Sequence, residues 1–90
     1  MNNYEKSQEG LEMIKAAILS ELRHHPDGMT NAEITHQLGL ESDSEGKMRN
    51  YLSWSLLGIL LGEGKIRSNG EGRNRTYHLK LMRQGHELIP

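Results

Sequence analysis

The sequence predicts a mainly α domain: a three-helix bundle followed by a C-terminal two-stranded β-hairpin. Three observations carry this. Thirteen Leu and six Ile supply most of the apolar content, while Val, Phe and Cys are absent. That balance suits helices better than sheets, whose pleated surfaces favour branched and aromatic side chains. Apolar residues recur at three- and four-residue spacing over residues 11–22 and again over 52–61, as they do on one side of a helix. Alternation appears only in Arg75-Thr76-Tyr77-His78-Leu79, after a glycine-rich stretch, the pattern of a half-buried strand behind a loop.

Residues 1–7 are polar and are expected to form a disordered N-terminus, with the domain spanning 8–80 and a loosely attached tail over 81–90. The first helix is expected from Ser7 or Gln8. Leu11, Ile14, Ile18 and Leu22 face inward with Ala17 beside them, and Glu12, Lys15, Glu21 and Arg23 face outward. Pro26 and the Asp27-Gly28 pair end it. Thr30-Asn31-Ala32-Glu33 has capping-box spacing, in which hydroxyl and carboxylate each accept from the other residue's amide. A short helix then buries Ala32, Ile34 and Leu38 and stops at Gly39. After a polar connection, with N-caps on offer at Ser42, Asp43 and Ser44, a long helix is expected from about Glu45 to Leu61. At 100° per residue, Leu52, Leu56, Ile59 and Leu60 share one side, and Lys47, Asn50, Tyr51, Trp54 and Gly58 the other. Gly62-Glu63-Gly64 breaks the helix, and Lys65–Ser68 and Arg75–Leu79 pair as a hairpin around the loop at Asn69–Asn74. Tyr77 is expected to pack on the core.

The net charge of −1 conceals two unlike halves. Residues 1–45 hold three basic and nine acidic side chains, whereas residues 46–90 hold eight basic and three acidic. The change of sign falls at the start of the third helix, and such asymmetry is a hint of nucleic-acid contact. Several chemistries are excluded. Without Cys there is no disulfide scaffold, Cys-based zinc or iron–sulfur site, or thiol nucleophile. The histidines (24, 25, 36, 78 and 86) do not have metal-ligand spacing. Neither a phosphate-cradling Gly-x-x-x-x-Gly-Lys nor a nucleophile elbow occurs. The expectation is therefore a protein that is not an enzyme and needs no metal or cofactor. No apolar run reaches the roughly 20 residues that span a bilayer, and the start lacks a signal-peptide pattern, so a cytoplasmic protein with no membrane partner is expected.

In element order, the chain resembles the winged helix-turn-helix superfamily over about residues 8–80. Thr30-Asn31-Ala32-Glu33-Ile34-Thr35-His36-Gln37-Leu38-Gly39-Leu40 looks like the opening helix of the helix-turn-helix. Leu57-Gly58-Ile59-Leu60-Leu61-Gly62-Glu63-Gly64-Lys65-Ile66 looks like the Leu-x-x-Leu-x-x-x-Gly-x-Ile passage from recognition helix into wing. The connection after Leu40 departs from the family by being longer and more acidic than a tight turn. Trp54 in the third helix is also similar to winged-helix modules attached to modification-dependent restriction endonucleases. The resemblance implies a winged helix whose third helix enters the major groove of double-stranded DNA.

The residue chemistry fits that implication. Lys47, Arg49, Asn50, Tyr51 and Trp54 lie on or near the outward side of the third helix. Asn pairs bidentately with adenine, Arg with guanine, and Lys or Tyr reaches phosphate. Arg67, Arg73 and Arg75 place the wing against the backbone or minor groove, and Thr30 and Asn31 offer helix N-terminal amides to a phosphate. The expected function is a small prokaryotic or phage-type transcriptional regulator that binds DNA as a homodimer. Two alternatives stand beside it. One is a winged-helix protein-interaction module using Tyr51 and Trp54, since an exposed Trp on a helix face more often marks packing or an interface than a base contact. The other is a DNA-targeting subunit of a restriction or mobile-element system.

Overall fold

Asn2 and Glu5 start the first helix by the same reciprocal device expected at Thr30: the Glu5 amide donates to Asn2 Oδ1 (2.8 Å) and the Asn2 amide to Glu5 Oε1 (3.1 Å). Helix α1 therefore runs Asn3–Arg23, four or five residues longer than expected, and residues 3–7 are helical rather than a disordered lead. The computed structural model describes residues 2–41 and 50–80. At the far end of α1, the rings of His24 and His25 meet the carbonyls of Ser20 and Glu21 at 2.8 and 2.9 Å, which satisfies acceptors that the last turn leaves open.

The architecture is mainly helical with a small antiparallel sheet. The order is α1, β1 (Met29–Thr30), α2 (Asn31–Leu38), α3 (Tyr51–Gly62), β2 (Ile66–Asn69) and β3 (Thr76–Leu79), with a single 3-10 turn at Gly72–Asn74. The sheet has three strands in the order β1-β3-β2, not two. Met29 pairs with Tyr77 and Thr30 with Thr76, while Ile66 pairs with Leu79 and Ser68 with Tyr77. The hairpin is thereby stitched to the segment entering α2. None of the described helices is long and apolar enough to cross a membrane.

Ile18, Leu22, Met29, Ile34, Leu56, Leu57, Leu60, Ile66 and Tyr77 form one core, with Leu11, Ile14 and Leu38 packed at its margin. Burying each large aliphatic side chain contributes about 1.5–3 kcal/mol. Each α-helix and each strand supplies at least one of these residues, so the hairpin belongs to the same core as the helices. Tyr77 is buried, as its alternation predicts.

Three expected faces are corrected. Lys15, expected on the outer side of α1, is buried, and its ammonium reaches Glu63 at 2.8 Å and Glu12 at 3.0 Å. In α2, Ile34 is buried but Ala32 is exposed, and Thr35 takes the inward place. In α3 the inward residues are Ser53, Leu56, Leu57 and Leu60, while Leu52 and Ile59 are 40% and 43% exposed. The helix is rotated from the expected orientation because Ser53, not Leu52, points to the α2 contact. It also begins later than expected, since Asn50 is its cap residue.

Two backbone closures set the helix directions. The Leu40 amide donates to the Thr35 carbonyl (2.9 Å) beyond Gly39, and the Lys65 amide to the Leu60 carbonyl (3.0 Å) beyond Gly64. Each is the six-to-one bond of a Schellman ending. Gly64, at φ +74°, makes the reversal that takes the chain from α3 into β2, a conformation that side-chain-bearing residues adopt only with strain.

Candidate nucleic-acid interface

The angle between α2 and α3 is held by a buried knot of side-chain hydroxyls and an amide. Asn31 Nδ2 donates to the Asn50 carbonyl (3.2 Å) and Ser53 Oγ donates to Asn31 Oδ1 (2.6 Å). Thr35 Oγ1 lies between the Asn31 carbonyl (2.8 Å) and Ser53 Oγ, and its single proton serves one of the two at a time. Thr35 and Ser53 are fully buried. A buried hydroxyl costs free energy unless it is hydrogen-bonded, so these partners specify one mutual placement of the two helices. Nothing in a local stretch announces the knot, because its members lie 18 to 22 positions apart.

Four of the expected contact residues have partners within the fold, two of them in this knot. Asn31 is turned inward and serves the α2–α3 junction. Thr30 is the cap of α2: its amide donates to Glu33 Oε1 (2.8 Å) and its hydroxyl accepts from the Glu33 amide (3.2 Å). The Glu33 carboxylate thus lies at the helix end where Thr30 and Asn31 were expected to meet a phosphate. Asn50 is half-buried at the α3 cap, and its carbonyl accepts from Asn31 Nδ2 and from the Trp54 amide. Its place is the helix tip, not the middle of an exposed face. Arg75 is half-buried as well: its Nη2 donates to Ser68 Oγ (2.8 Å) and its guanidinium lies 5.4 Å from the Tyr77 ring centre. It stiffens the hairpin rather than projecting from it.

The other expected residues divide into two surfaces. Tyr51 and Trp54 are 50% and 55% exposed, with ring centres 5.8 Å apart and planes tilted by 36°. Leu52 and Ile59 extend this surface, and residues 51–62 contain no charged side chain at all. Trp54 also borders a cleft of about 190 Å³ against Gly58, Arg75 and Tyr77. Arg67 and Arg73 lie on the hairpin, exposed and without an ion-pair partner among the described residues. Lys47 and Arg49 lie outside the described residues, as do the acidic connection from Ser42 to Glu45 and the tail with Leu81, Leu88 and Ile89.

Electrostatics separates the hairpin from the helices. Residues 65–80 carry five basic side chains and one acidic one. Of the basic ones, Lys65 is near Glu63 at 3.7 Å. The Lys15–Glu63 pair at the base of α3 has the pKa signature of a close ion pair. The Glu63 carboxyl is held below its ordinary value by its bond to Lys15, and the Lys15 ammonium is raised by its bonds to Glu63 and Glu12. This ties α1 to the turn between α3 and β2. Among the described residues no group of His, Asp and Glu is arranged to hold a metal ion. Compared with family models, with curated proteins and with solved structures, the chain matches none.

Proposed function

We propose that the chain is a winged helix-turn-helix domain that binds double-stranded DNA and acts as a small transcriptional regulator. The observation that carries this reading is the hairpin, whose exposed Arg67 and Arg73 have no carboxylate partners among the described residues and which sits beside α3 through β2. In this reading the hairpin is the wing. It contributes phosphate contacts, which position a protein on a duplex without reading sequence. Base contact falls to the start of the third helix, where Asn50 and Tyr51 adjoin Lys47 and Arg49 in sequence. The α1–β1–α2–α3–β2–β3 order and the three-stranded sheet are compatible with the winged helix. Selection from a random duplex library at physiological salt tests this reading. Enrichment of a defined site supports it, and recovery of no duplex above background contradicts it.

A second reading is favoured by the outward surface of α3. Tyr51, Leu52, Trp54 and Ile59 present aromatic and aliphatic area with no charge, and interface cores are enriched in such residues and depleted of charge. A protein-interaction role through this helix, as a homodimer or with another chain, accounts for that surface. The two readings share Tyr51 and otherwise occupy different residues: Arg67, Arg73 and Asn50 for DNA, and Leu52, Trp54 and Ile59 for a protein partner.

A further inference from the structure

On the side of the hairpin away from the α3 cleft, the chain assembles a second basic feature. Arg67 and His78 are cross-strand partners, and Lys80 follows His78 by two positions, so all three share a sheet face. Arg23, from the last turn of α1, joins them at a cavity of about 470 Å³. Its remaining walls are Leu22, Pro26 and Leu79. Arg23, Arg67 and Lys80 have no ion-pair partner among the described residues, whereas Lys15 and Lys65 each lie within 4 Å of a carboxylate. Three like charges around one cavity repel one another, and a bound anion relieves that repulsion.

His78 lines the same cavity. Its Nε2 lies 2.8 Å from Thr76 Oγ1, and its Nδ1 is buried with no hydrogen-bond partner among the described residues. Gly28 backs the ring so closely that a Cβ there would collide with it, which fixes the imidazole at the cavity wall.

We propose that this cavity binds a phosphomonoester, with the phosphate among Arg23, Arg67 and Lys80 and the organic part against Leu22, Pro26 and Leu79. Guanidinium and ammonium donors suit phosphate oxygens, and the volume is that of a small-ligand pocket rather than a bare ion site. The site stands independently of the DNA reading. It shares only Arg67 with the proposed DNA contacts.

Amide NMR titration with inorganic phosphate, AMP and adenosine, at constant ionic strength, tests it. Saturable shifts at Arg23, Arg67, His78 and Lys80 are expected with phosphate and AMP, and none with adenosine. Arg23→Gln, and separately Lys80→Gln, weaken AMP binding about tenfold or more while leaving the ligand-free melting temperature unchanged, because both side chains are exposed. A duplex titration then separates the sources of the phosphate. Shifts at the same amides that AMP reverses show a backbone phosphodiester in the cavity and overturn the monoester assignment, whereas unmoved amides support it. Shifts that never saturate, that spread evenly to Lys65 and Arg73, or that persist in Arg23→Gln overturn the proposal. The DNA reading fails separately, through loss of duplex binding with AMP binding intact.

Discussion

The outward surface of α3 and the hairpin beside it are opposites. The helix exposes Tyr51, Leu52, Trp54 and Ile59 and carries no charge over its whole length. The hairpin exposes Arg67 and Arg73 within a strongly basic stretch. A helix that reads DNA along its length would carry polar and basic groups there. Under the proposed DNA reading, phosphate contact would therefore fall to the hairpin and base contact to the start of the third helix. Under the interaction reading, the partner would meet the uncharged side of α3.

The largest expected effect tests which side of α3 faces inward. Leu57→Ala should destabilise the fold by about 2–5 kcal/mol, and Ile59→Ala by much less, as measured by denaturant unfolding. Equal losses would put the inward side where the sequence periodicity first placed it. Next comes Ser53→Ala, which leaves the Asn31 and Thr35 groups short of a partner and should cost about 1–3 kcal/mol. A neutral result would remove the α2–α3 knot from the account of helix placement.

Tyr51→Ala with Trp54→Ala should change stability little, by about 0.5 kcal/mol or less for exposed positions. If the apolar surface is an interface, the pair of substitutions abolishes self-association or partner capture in sedimentation and pull-down measurements. An unchanged sedimentation profile and partner set would leave that surface without a role. The smallest effect is a pH dependence. Because the Glu63 carboxyl is held below its ordinary value of 4.5 by Lys15, its stabilising contribution is present above that value and is lost as pH falls through the depressed folded-state value. The raised Lys15 pKa places the corresponding loss above 10.5, on the alkaline side. Glu63→Gln should lower the melting temperature at neutral pH, with the difference closing only in acid below pH 4.5. A difference that persists unchanged into strong acid would contradict the pair.

Elements whose signals are local match the sequence. Thr30 and Glu33 cap α2 as their spacing predicts, Gly39 ends it, and the alternation around Tyr77 places that ring in the core. Asn2 and Glu5 carry the same capping signature, and it starts α1 earlier than the apolar periodicity predicts. The phase of α3 was not legible for a different reason. Tyr51–Gly62 is apolar nearly all round, so periodicity favours no single side, and the choice of Ser53 over Leu52 follows from a partner on α2. Strand β1 is two residues long and exists only through its pairing with β3. The inward place of Lys15 likewise depends on a carboxylate 48 positions away. At the site, residue type identified Arg67 and Arg73 as exposed cations. It could not reveal that Arg75 folds back onto Ser68 and Tyr77, or that Asn31 turns into the knot.

The central claim is that the hairpin arginines hold duplex DNA by its phosphates. The most direct measurement is duplex affinity against salt concentration for the unaltered protein and for Arg67→Ala with Arg73→Ala. About three to six phosphate contacts are expected, giving a log–log slope of roughly −3 to −5. The double substitution should reduce the slope by about two. Binding that ignores salt, a slope the substitutions leave unchanged, or no duplex binding at micromolar protein would contradict the claim.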